Sequence, residues 1–453
     1  MSNVFYTARK TIMQYASGSN VLIVATILAV ICANAPFASK YYNALWELPV
    51  SLQIGDFNLF SHHGHPMSLM QFINDALMAI FFFNIGLEIK RESLIGELAS
   101  FRQALLPIIA ACGGMIFPVI VYYFLGTTQH GDYLNGMAIP MATDIAFSLG
   151  VLTMLGKRVP VSLKVFLTTL AVADDIGGIL VIAIFYTTEI SLSMLLASAV
   201  LYLILLIGNK LNVMNKAFYI LIGIAIWYLF LSSGIHPTIA GVLVALTIPA
   251  TPQVAPGKYI KTIREDIEQF PVQSSSELET KSMLTNRQLD WLKEINGASS
   301  KMISPCQELE DALQGIVTMF IIPLFAFANA GIYLGDMSIG DAFSGVALCI
   351  MGGLFIGKFI GIFLFTWATI KCKFAKMPAH SNWKMIASVS MLGGIGFTVS
   401  LFIATLSFPG KEEHMITLLN DAKLGIVLGS ILSGVVGYIM LKLTLPKQSF
   451  DAE

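Results

Sequence analysis

The chain has 453 residues and a formal net charge of −1; 56% of its residues are apolar and 12% are charged, about half the charged fraction of soluble domains. This composition excludes a nucleic-acid-binding protein or a polybasic lipid anchor, and it predicts an all-α integral membrane protein. The five cysteines are scattered, and no nucleotide loop, catalytic triad or metal-ligand spacing is present, so neither an enzyme nor a cofactor is expected.

Twelve apolar segments are long enough to predict transmembrane helices. In chain order they cover 11–39, 69–93, 103–131, 133–156, 162–187, 190–209, two halves of 217–257, 312–335, 342–370, 385–410 and 424–441. The 217–257 stretch is too long for one helix, and the turn-forming residues 232–237 divide it. The first segment is too long for a signal-peptide core, so we expect it to be retained.

The positions of lysine and arginine predict the orientation of these helices. With a cytoplasmic N-terminus, all 27 basic residues fall on the cytoplasmic side except Lys40, Lys411 and Lys423, which lie outside, and Lys358, which lies within a helix. An even number of spans then places the C-terminus in the cytoplasm as well.

Two polar regions interrupt the apolar pattern. Residues 252–306 are mixed in charge and predict a long cytoplasmic loop between helices 1–8 (residues 1–251) and helices 9–12 (residues 307–453). Residues 45–60 partly alternate apolar and polar side chains around Gly55-Asp56, which favours a small β-hairpin in the first external loop.

Helices 4 and 11 are predicted to be interrupted. Helix 4 carries Pro140 close to Thr143 and Asp144, and helix 11 has a glycine-rich centre at 393–396. Helix 3 is predicted to run outward and helix 10 inward, so the groups of helices 3–5 and 10–12 have opposite topology. This suggests inverted three-helix repeats. Interrupted helices in corresponding positions of such repeats are typical of transporter binding sites.

Five ionisable residues lie inside predicted helices: Asp75, Asp144, Asp174, Asp175 and Lys358. Placing these five charges in the hydrocarbon region would cost on the order of 10 kcal/mol or more unless the groups are paired, hydrated or protonated. Structural ion pairs are one explanation, and Asp75 could be an ordinary charge near a helix end. Asp174 and Asp175 need another explanation. Adjacent helical residues point about 100° apart, so one partner cannot easily pair with both carboxylates.

One of these two carboxylates can meet Lys358 while the other faces a water-filled cavity. A deprotonated pair with nearby hydroxyl or carbonyl oxygens suits a hard cation such as Na⁺ or Li⁺, whereas a protonated pair does not. The pattern therefore predicts that protons and a small metal cation compete for one coupled site. Asp144 and Lys358 could also compensate the partial charges of half-helix ends, and Thr143 could supply an oxygen or bond back to its own helix.

Long strings around these residues resemble the NhaA family of bacterial sodium–proton antiporters over nearly the whole chain. They include IPMATDIAFSLGVL (139–152) and FLTTLAVADDIGGILVIAIFYT (166–187), with further matches at 73–92, 233–243, 321–331, 357–363 and 392–404. The resemblance implies twelve transmembrane helices with crossed, partly unwound helices 4 and 11. It implies an inner-membrane transporter, driven by the inward proton gradient, that expels Na⁺ or Li⁺ electrogenically.

The resemblance also implies roles for individual residues. Asp174 and Asp175 would exchange protons and hold the cation, with Asp175 the usual ligand. Asp144, Lys358 and Thr143 would compensate helix dipoles around the interruptions. The 45–60 hairpin matches a dimer contact of the family, so a homodimer is expected.

Four further residues match family positions linked to the pH response and to pH homeostasis: Glu88, Arg91, Glu310 and His236. A simpler interpretation remains open for Glu88, Arg91 and His236. Glu88 and Arg91 could be a solvated i,i+3 pair at a cytoplasmic helix end. A lone histidine before a proline is more often structural.

The sequence departs from the family pattern at a few positions. An amide at Asn84 replaces an apolar residue, Phe359 stands where many members have proline, and Asp311 and Gln314 stand where some have histidines. The 252–306 loop is also longer than the usual linker. These departures concern regulation more than the exchange chemistry.

The alternative functions are those of an ion channel, an organic-anion symporter and a non-transporting membrane sensor. A channel would not need two interrupted helices around a compensated site. An anionic substrate would favour more basic groups than Lys358 alone. A sensor would use 252–306 as its output, and that loop holds no recognisable catalytic motif.

Overall fold

Helices occupy most of the chain that the computed structural model describes, namely residues 18–55, 57–62, 65–127, 132–187, 190–252, 260, 264, 286–333, 335, 344–410 and 412–446. In chain order the α-helices are α1 Gly18–Asn34, α2 Ser39–Trp46, α3 Leu69–Ile95, α4 Phe101–Leu125, α5 Ile145–Met154, α6 Val161–Phe185, α7 Leu192–Lys210, α8 Lys216–Ser233, α9 Thr238–Thr247, α10 Asn286–Met302, α11 Pro305–Asn329, α12 Gly345–Lys371, α13 Trp383–Leu392, α14 Phe397–Ser407 and α15 Glu413–Thr444.

Within these described ranges, eight helices are long and apolar enough to cross a membrane, or up to eleven if each bent pair is one span. The described part of the 11–39 segment begins at Gly18 and forms a 17-residue helix, α1, which is followed by α2 at a bend of 113°. The second half of 217–257 yields α9, with only ten residues. The chain is a multi-pass membrane protein.

The outer face of the helices is apolar, as expected of a surface in contact with lipid. On α7 the side chains of Val200, Leu203 and Ile207 are 58%, 56% and 57% exposed. A soluble protein rarely leaves so many large apolar side chains uncovered in one row. Charged and polar side chains instead collect inside the helix bundle.

Both segments predicted to be interrupted are broken in the structure. The first broken helix consists of a 3₁₀ segment, Asp132–Met141, and α5, bent by 42°; the second consists of α13 and α14, bent by 43°. Pro140 lacks an N–H, and the glycine-rich 393–396 segment tolerates a non-helical backbone. The two breaks touch, because Asp144 N donates to the Ile395 carbonyl at 2.6 Å.

Short strands follow α2 in the region predicted as a hairpin. They are β1 Pro49–Val50, β2 Gln53–Ile54, β3 Phe57–Asn58, β4 Ser61–His62 and β5 His65–Ser68. β2 and β3 pair across Gly55, as the sequence pattern suggests, and β5 pairs with both β1 and β4. The strands therefore form a three-stranded sheet, β1-β5-β4, and a separate β2-β3 pair, and they extend beyond residue 60, while the predicted first residues, Leu45 and Trp46, belong to α2.

The region predicted as a polar loop, 252–306, contains more structure than its composition suggests. Its end forms α10, a polar helix of 17 residues, and α11 already begins at Pro305, two residues before the predicted boundary. Ser304 caps α11 by accepting a hydrogen bond from Gln307 N at 3.3 Å. Most of 253–285 lies outside the described residues.

Two glycines let α4 and α12 cross at backbone contact. A Cβ on Gly361 would lie 2.1 Å from the Gly113 carbonyl oxygen, and a Cβ on Gly113 would lie 2.3 Å from the Gly361 carbonyl oxygen. Only glycine permits this approach. Lys358 stands one turn before the crossing, so the contact fixes the height at which its side chain enters the bundle.

Replacing Gly361 with alanine should therefore destabilise the protein. The added methyl group meets backbone rather than a movable side chain, and overpacking of this kind costs about 1–3 kcal/mol. The comparison is Gly315→Ala on α11, where a Cβ meets nothing within 4 Å. Unfolding of both purified variants in detergent should show a lower midpoint for Gly361→Ala only; equal midpoints would contradict the role given to the crossing.

Candidate ion-binding site

Asp174 and Asp175 stand at the centre of α6, a 25-residue helix, and both are almost fully buried at 1% and 5% exposure. About 20 Å of helix precedes them at 1.5 Å per residue, which places them deep inside an apolar bundle. Because they are adjacent on the helix, their carboxylates point in different directions. Each one meets a different environment.

Asp174 faces the two interrupted helices and forms an ion pair with Lys358. Its Oδ2 contacts Lys358 Nζ, and both side chains are wholly buried. Thr143 joins the pair: Lys358 Nζ donates to Thr143 Oγ1 at 2.8 Å, and Thr143 Oγ1 lies 2.7 Å from Asp174 Oδ2. The same hydroxyl lies 2.9 Å from the Gly393 carbonyl at the second break. Thr143 thus bonds to the site and to the other broken helix, not back to its own helix.

Asp175 faces a cavity of about 360 Å³, which we name the Asp175 cavity. No hydrogen bond or ion pair joins its carboxylate to another residue within the described part of the chain. The cavity reaches from the breaks, at Thr143, Asp144 and Thr398, to Glu88 on α3. Asp174 is not among its lining residues. The division expected from the sequence is therefore present, with one carboxylate paired to lysine and its neighbour facing open space.

Asp144 lies between two helix N-termini. It is the N-cap of α5, where Oδ1 accepts a hydrogen bond from Phe147 N at 3.0 Å. Its Oδ2 accepts from the N–H of Thr398, in the first turn of α14, at 3.0 Å, and from the Thr398 hydroxyl at 2.6 Å. A carboxylate in this position meets the partial positive charges of both half-helices.

Two serines hold the opposite half-helix ends, and the sequence reasoning missed both. Ser148 on α5 donates to the Leu392 carbonyl of α13 at 3.1 Å, and Ser400 on α14 donates to the Ile139 carbonyl of the first broken helix at 2.8 Å. Each hydroxyl satisfies a carbonyl that the break deprives of its helical partner. The available signal was a hydroxyl about one turn beyond each break in an otherwise apolar segment.

Glu88 lines the Asp175 cavity and lies within electrostatic range of Asp175. One turn further along α3, Arg91 donates through Nε to Glu310 of α11 at 2.9 Å, and its other end contacts Glu92 at 3.1 Å. The predicted i,i+3 pair of Glu88 and Arg91 is not among the ion pairs of the described residues. Arg91 instead links two helices that flank the cavity mouth.

Asp75 and His236 form a separate cluster that does not line the Asp175 cavity. Asp75 sits in a π-helical turn, Phe72–Leu77, and its Oδ1 lies 3.7 Å from His236 Nε2. The other ring nitrogen of His236 lies 2.8 Å from the Thr238 hydroxyl, and the ring packs edge-on against Phe402. Both residues are thus held by local contacts.

A second cavity, of about 600 Å³, lies at the other end of α6; we name it the Tyr186 cavity. It reaches Met141 at the first break, but neither Asp174 nor Asp175 lines it. The Tyr186 hydroxyl lies 2.8 Å from the Ser407 hydroxyl and bonds to the Asn135 carbonyl at 2.9 Å. These contacts join the ends of both broken helices. Of the two named cavities, formed by described residues, the one on the Glu88 side reaches Asp175.

Broken helices that meet at a buried acidic site open to one side define a membrane transporter rather than an enzyme. The family model described as Na⁺/H⁺ antiporter 1 matches residues 9–441. Relatives named Na⁺/H⁺ antiporter NhaA include those of Phocaeicola vulgatus (52% identical over 450 residues, 98% of each chain) and Helicobacter pylori (42% over 436 residues, 96% of this chain and 95% of that one). The chain belongs to the Na⁺/H⁺ antiporter 1 family, as its resemblance to the NhaA family implied.

The serine contacts between the broken helices give a stability prediction. Ser148→Ala or Ser400→Ala leaves a buried carbonyl without a donor, which costs about 1–3 kcal/mol. Ser390→Ala is the matched control, because that buried hydroxyl donates to Ile386 of its own helix at 2.8 Å, a carbonyl four residues earlier. Unfolding in detergent should separate the two site variants from the control; a control variant destabilised as much as they are would refute the assignment.

Proposed function

We propose that this protein exchanges Na⁺, and also Li⁺, for H⁺ at Asp174 and Asp175. The observation that carries the proposal is the unequal placement of the two carboxylates, since Asp175 faces the cavity while Asp174 is paired with Lys358. The names of the relatives, Na⁺/H⁺ antiporters similar over 95% or more of their length, support the choice of ions.

Competition between the two ions follows from the chemistry of Asp175. As a carboxylate it offers charged oxygen to a hard cation arriving through the cavity; as a carboxylic acid it does not. Thr143, Asp144 and Thr398 line the same cavity, and we propose that oxygens of these residues complete a coordination shell. A proton and Na⁺ therefore exclude each other, which is the condition for exchange without simultaneous transport.

Asp174 and Lys358 provide further exchangeable protons at the same site. A cation on Asp175 acts on the neighbouring ion pair through the low-dielectric interior, where charges interact strongly. More than one proton can then leave for each Na⁺ bound. Exchange in that ratio moves net charge, so we propose that transport is electrogenic and driven by the inward proton gradient.

The broken helices supply the moving part in this proposal. Their antiparallel approach and their matched serine contacts support inverted repeats formed by helices 3–5 and 10–12 of twelve transmembrane helices. In the present state the site opens toward Glu88, and the Tyr186 end is closed. Movement of the two broken helices together against the surrounding helices would open the Tyr186 end and close the other, with Asp144, Thr143 and Lys358 balancing the half-helix charges throughout.

The positions of the basic residues support an inner-membrane location with both termini in the cytoplasm. The Glu88 end of the bundle is then cytoplasmic. We also propose the division into residues 1–251, a cytoplasmic segment 252–306 that includes α10, and residues 307–453. The strands after α2 would form the external contact of a homodimer.

A role in pH and sodium homeostasis is proposed for the cytoplasmic rim. Glu88 lies in the cavity, and the Arg91–Glu310 pair ties α3 to α11 beside it. A change in these charges alters access to Asp175 without touching the site. The Asp75–His236 cluster is the corresponding candidate toward the external side.

The central test is Asp175→Asn, which removes the exchangeable proton and the charged ligand but keeps the shape. In everted vesicles loaded with a pH-sensitive dye, Na⁺-induced proton movement should fall to the level of vesicles without the protein. Asp132→Asn is the control, since that side chain is 51% exposed outside the site. Full exchange by Asp175→Asn would eliminate the proposed mechanism, and movement of one ion without the other would indicate a channel.

Orientation can be tested with a native cysteine. Cys372 follows α12 and is exposed, whereas the other four cysteines are buried or half-buried. A membrane-impermeant thiol reagent should label everted vesicles and spare right-side-out vesicles, because this helix end is predicted to be cytoplasmic. Cys372→Ser should abolish the labelling. Equal labelling from outside would reverse the proposed topology.

A further inference from the structure

The Asp175 cavity contains a pair of amide side chains that the proposed exchange does not use. Asn84 of α3 and Gln314 of α11 both line it, and Asn84 Nδ2 donates to Gln314 Oε1 at 3.2 Å. Asn84 is only 4% exposed, whereas Gln314 is an exposed residue. The hydrogen bond therefore joins an exposed residue of the cavity wall to a buried one.

One bond between two amides leaves one carbonyl oxygen without a donor. Here that oxygen is Asn84 Oδ1, which is shielded from solvent and has no hydrogen-bond partner in the described part of the chain. Turning both amides over would satisfy this oxygen and free Gln314 Oε1 instead, so one amide oxygen is available in either arrangement. A buried, unpaired oxygen is unfavourable and calls for a ligand.

The pair shares the cavity with two acidic groups. Asn84 and Glu88 are four residues apart on α3, which puts them on one face, and both line the cavity with Asp175. On α11 a π-helical turn, Val317–Ile321, begins three residues after Gln314. Turns of this kind occur often at functional sites, where they re-aim side chains.

A neutral oxygen in this position suits a cation in transit. Na⁺ entering a narrow cavity has to exchange water oxygens for protein oxygens. Amide oxygens coordinate hard cations without contributing a full negative charge, so they replace water yet release the ion toward a carboxylate. Asp175 is that carboxylate, and Glu88 supplies attraction at the entrance.

We propose that Asn84 and Gln314 form a charge-neutral subsite that coordinates partly dehydrated Na⁺ between Glu88 and Asp175. This inference rests on the proposed antiport function and adds residues that set the affinity for Na⁺. The proton-exchanging groups lie elsewhere. Loss of the amides therefore affects the KM for Na⁺ and leaves the maximal rate largely unchanged.

The experiment measures Na⁺-driven proton transport in proteoliposomes over a range of Na⁺ concentrations, at several fixed pH values. Asn84→Leu and Gln314→Leu should each raise the KM for Na⁺ about tenfold and change the maximal rate by less than about twofold. Asn84→Gln, which keeps an amide, should recover part of the affinity. Thr153→Val is the matched control, because Thr153 lines the same cavity but its hydroxyl is committed to the Gly150 carbonyl at 2.8 Å.

The outcomes separate the inference from the function on which it rests. Wild-type protein without Na⁺-dependent exchange would refute the antiport proposal itself. Active wild-type protein with an unchanged KM in both leucine variants, or with an equal rise in Thr153→Val, would refute the amide subsite alone. Should Asn84→Leu not purify as a monodisperse protein, Gln314→Leu decides the question, because its exposed position tolerates an apolar side chain.

Discussion

The structure depends on placing helix ends and ionised side chains where there is no water to stabilise them. An interrupted helix leaves N–H and C=O groups without partners, and in a lipid bilayer each one is expensive. This chain brings two interruptions together so that each supplies the other's missing contacts. Asp144 accepts from the N-terminal ends, and Ser148 and Ser400 donate to the C-terminal ends. The groups proposed to bind ions lie where the two interrupted helices satisfy each other's hydrogen bonds.

The Asp174–Lys358 ion pair also depends on hydrogen bonds at the breaks. A buried ion pair repays its desolvation only when its remaining donors and acceptors are satisfied. Thr143 contributes to that, yet Asp174 Oδ1 has no partner among the described residues. One carboxylate oxygen of the ion pair therefore lacks a hydrogen-bond donor among the described residues. In this condition, protonation changes the free energy of the pair strongly. A fully satisfied pair would be a structural element and a poor participant in exchange.

The residues of the candidate site could be found in the sequence because charges in apolar segments are rare and conspicuous. The adjacent aspartates, the lysine of α12 and both breaks were all visible as interruptions of a hydrophobic pattern. Family membership, supported at 52% identity over 98% of the chain, agrees with that reasoning.

Other features left weaker signals. Serines in apolar helices are common, and most bond back to their own helix, as Ser390 does; only a position about one turn beyond a predicted break distinguished Ser148 and Ser400. The Asn84–Gln314 contact joins residues 230 positions apart and depends on how α3 meets α11. The helix at Asn286–Met302 was not predicted, because its polar and charged residues suggested a loop. The second half of 217–257 was also predicted to be a transmembrane helix, whereas α9 ends after ten residues.

The hydrogen bonds between the two broken helices have a mechanical consequence. Thr143, Asp144, Ser148, Thr398 and Ser400 all bond across the contact, so neither broken helix can tilt by itself without stranding polar groups in hydrocarbon. In the proposed exchange the two would therefore move as one rigid unit against the surrounding helices. Such a unit has few intermediate positions, which would keep the site from opening to both sides of the membrane at once and so limit leakage of protons down their gradient.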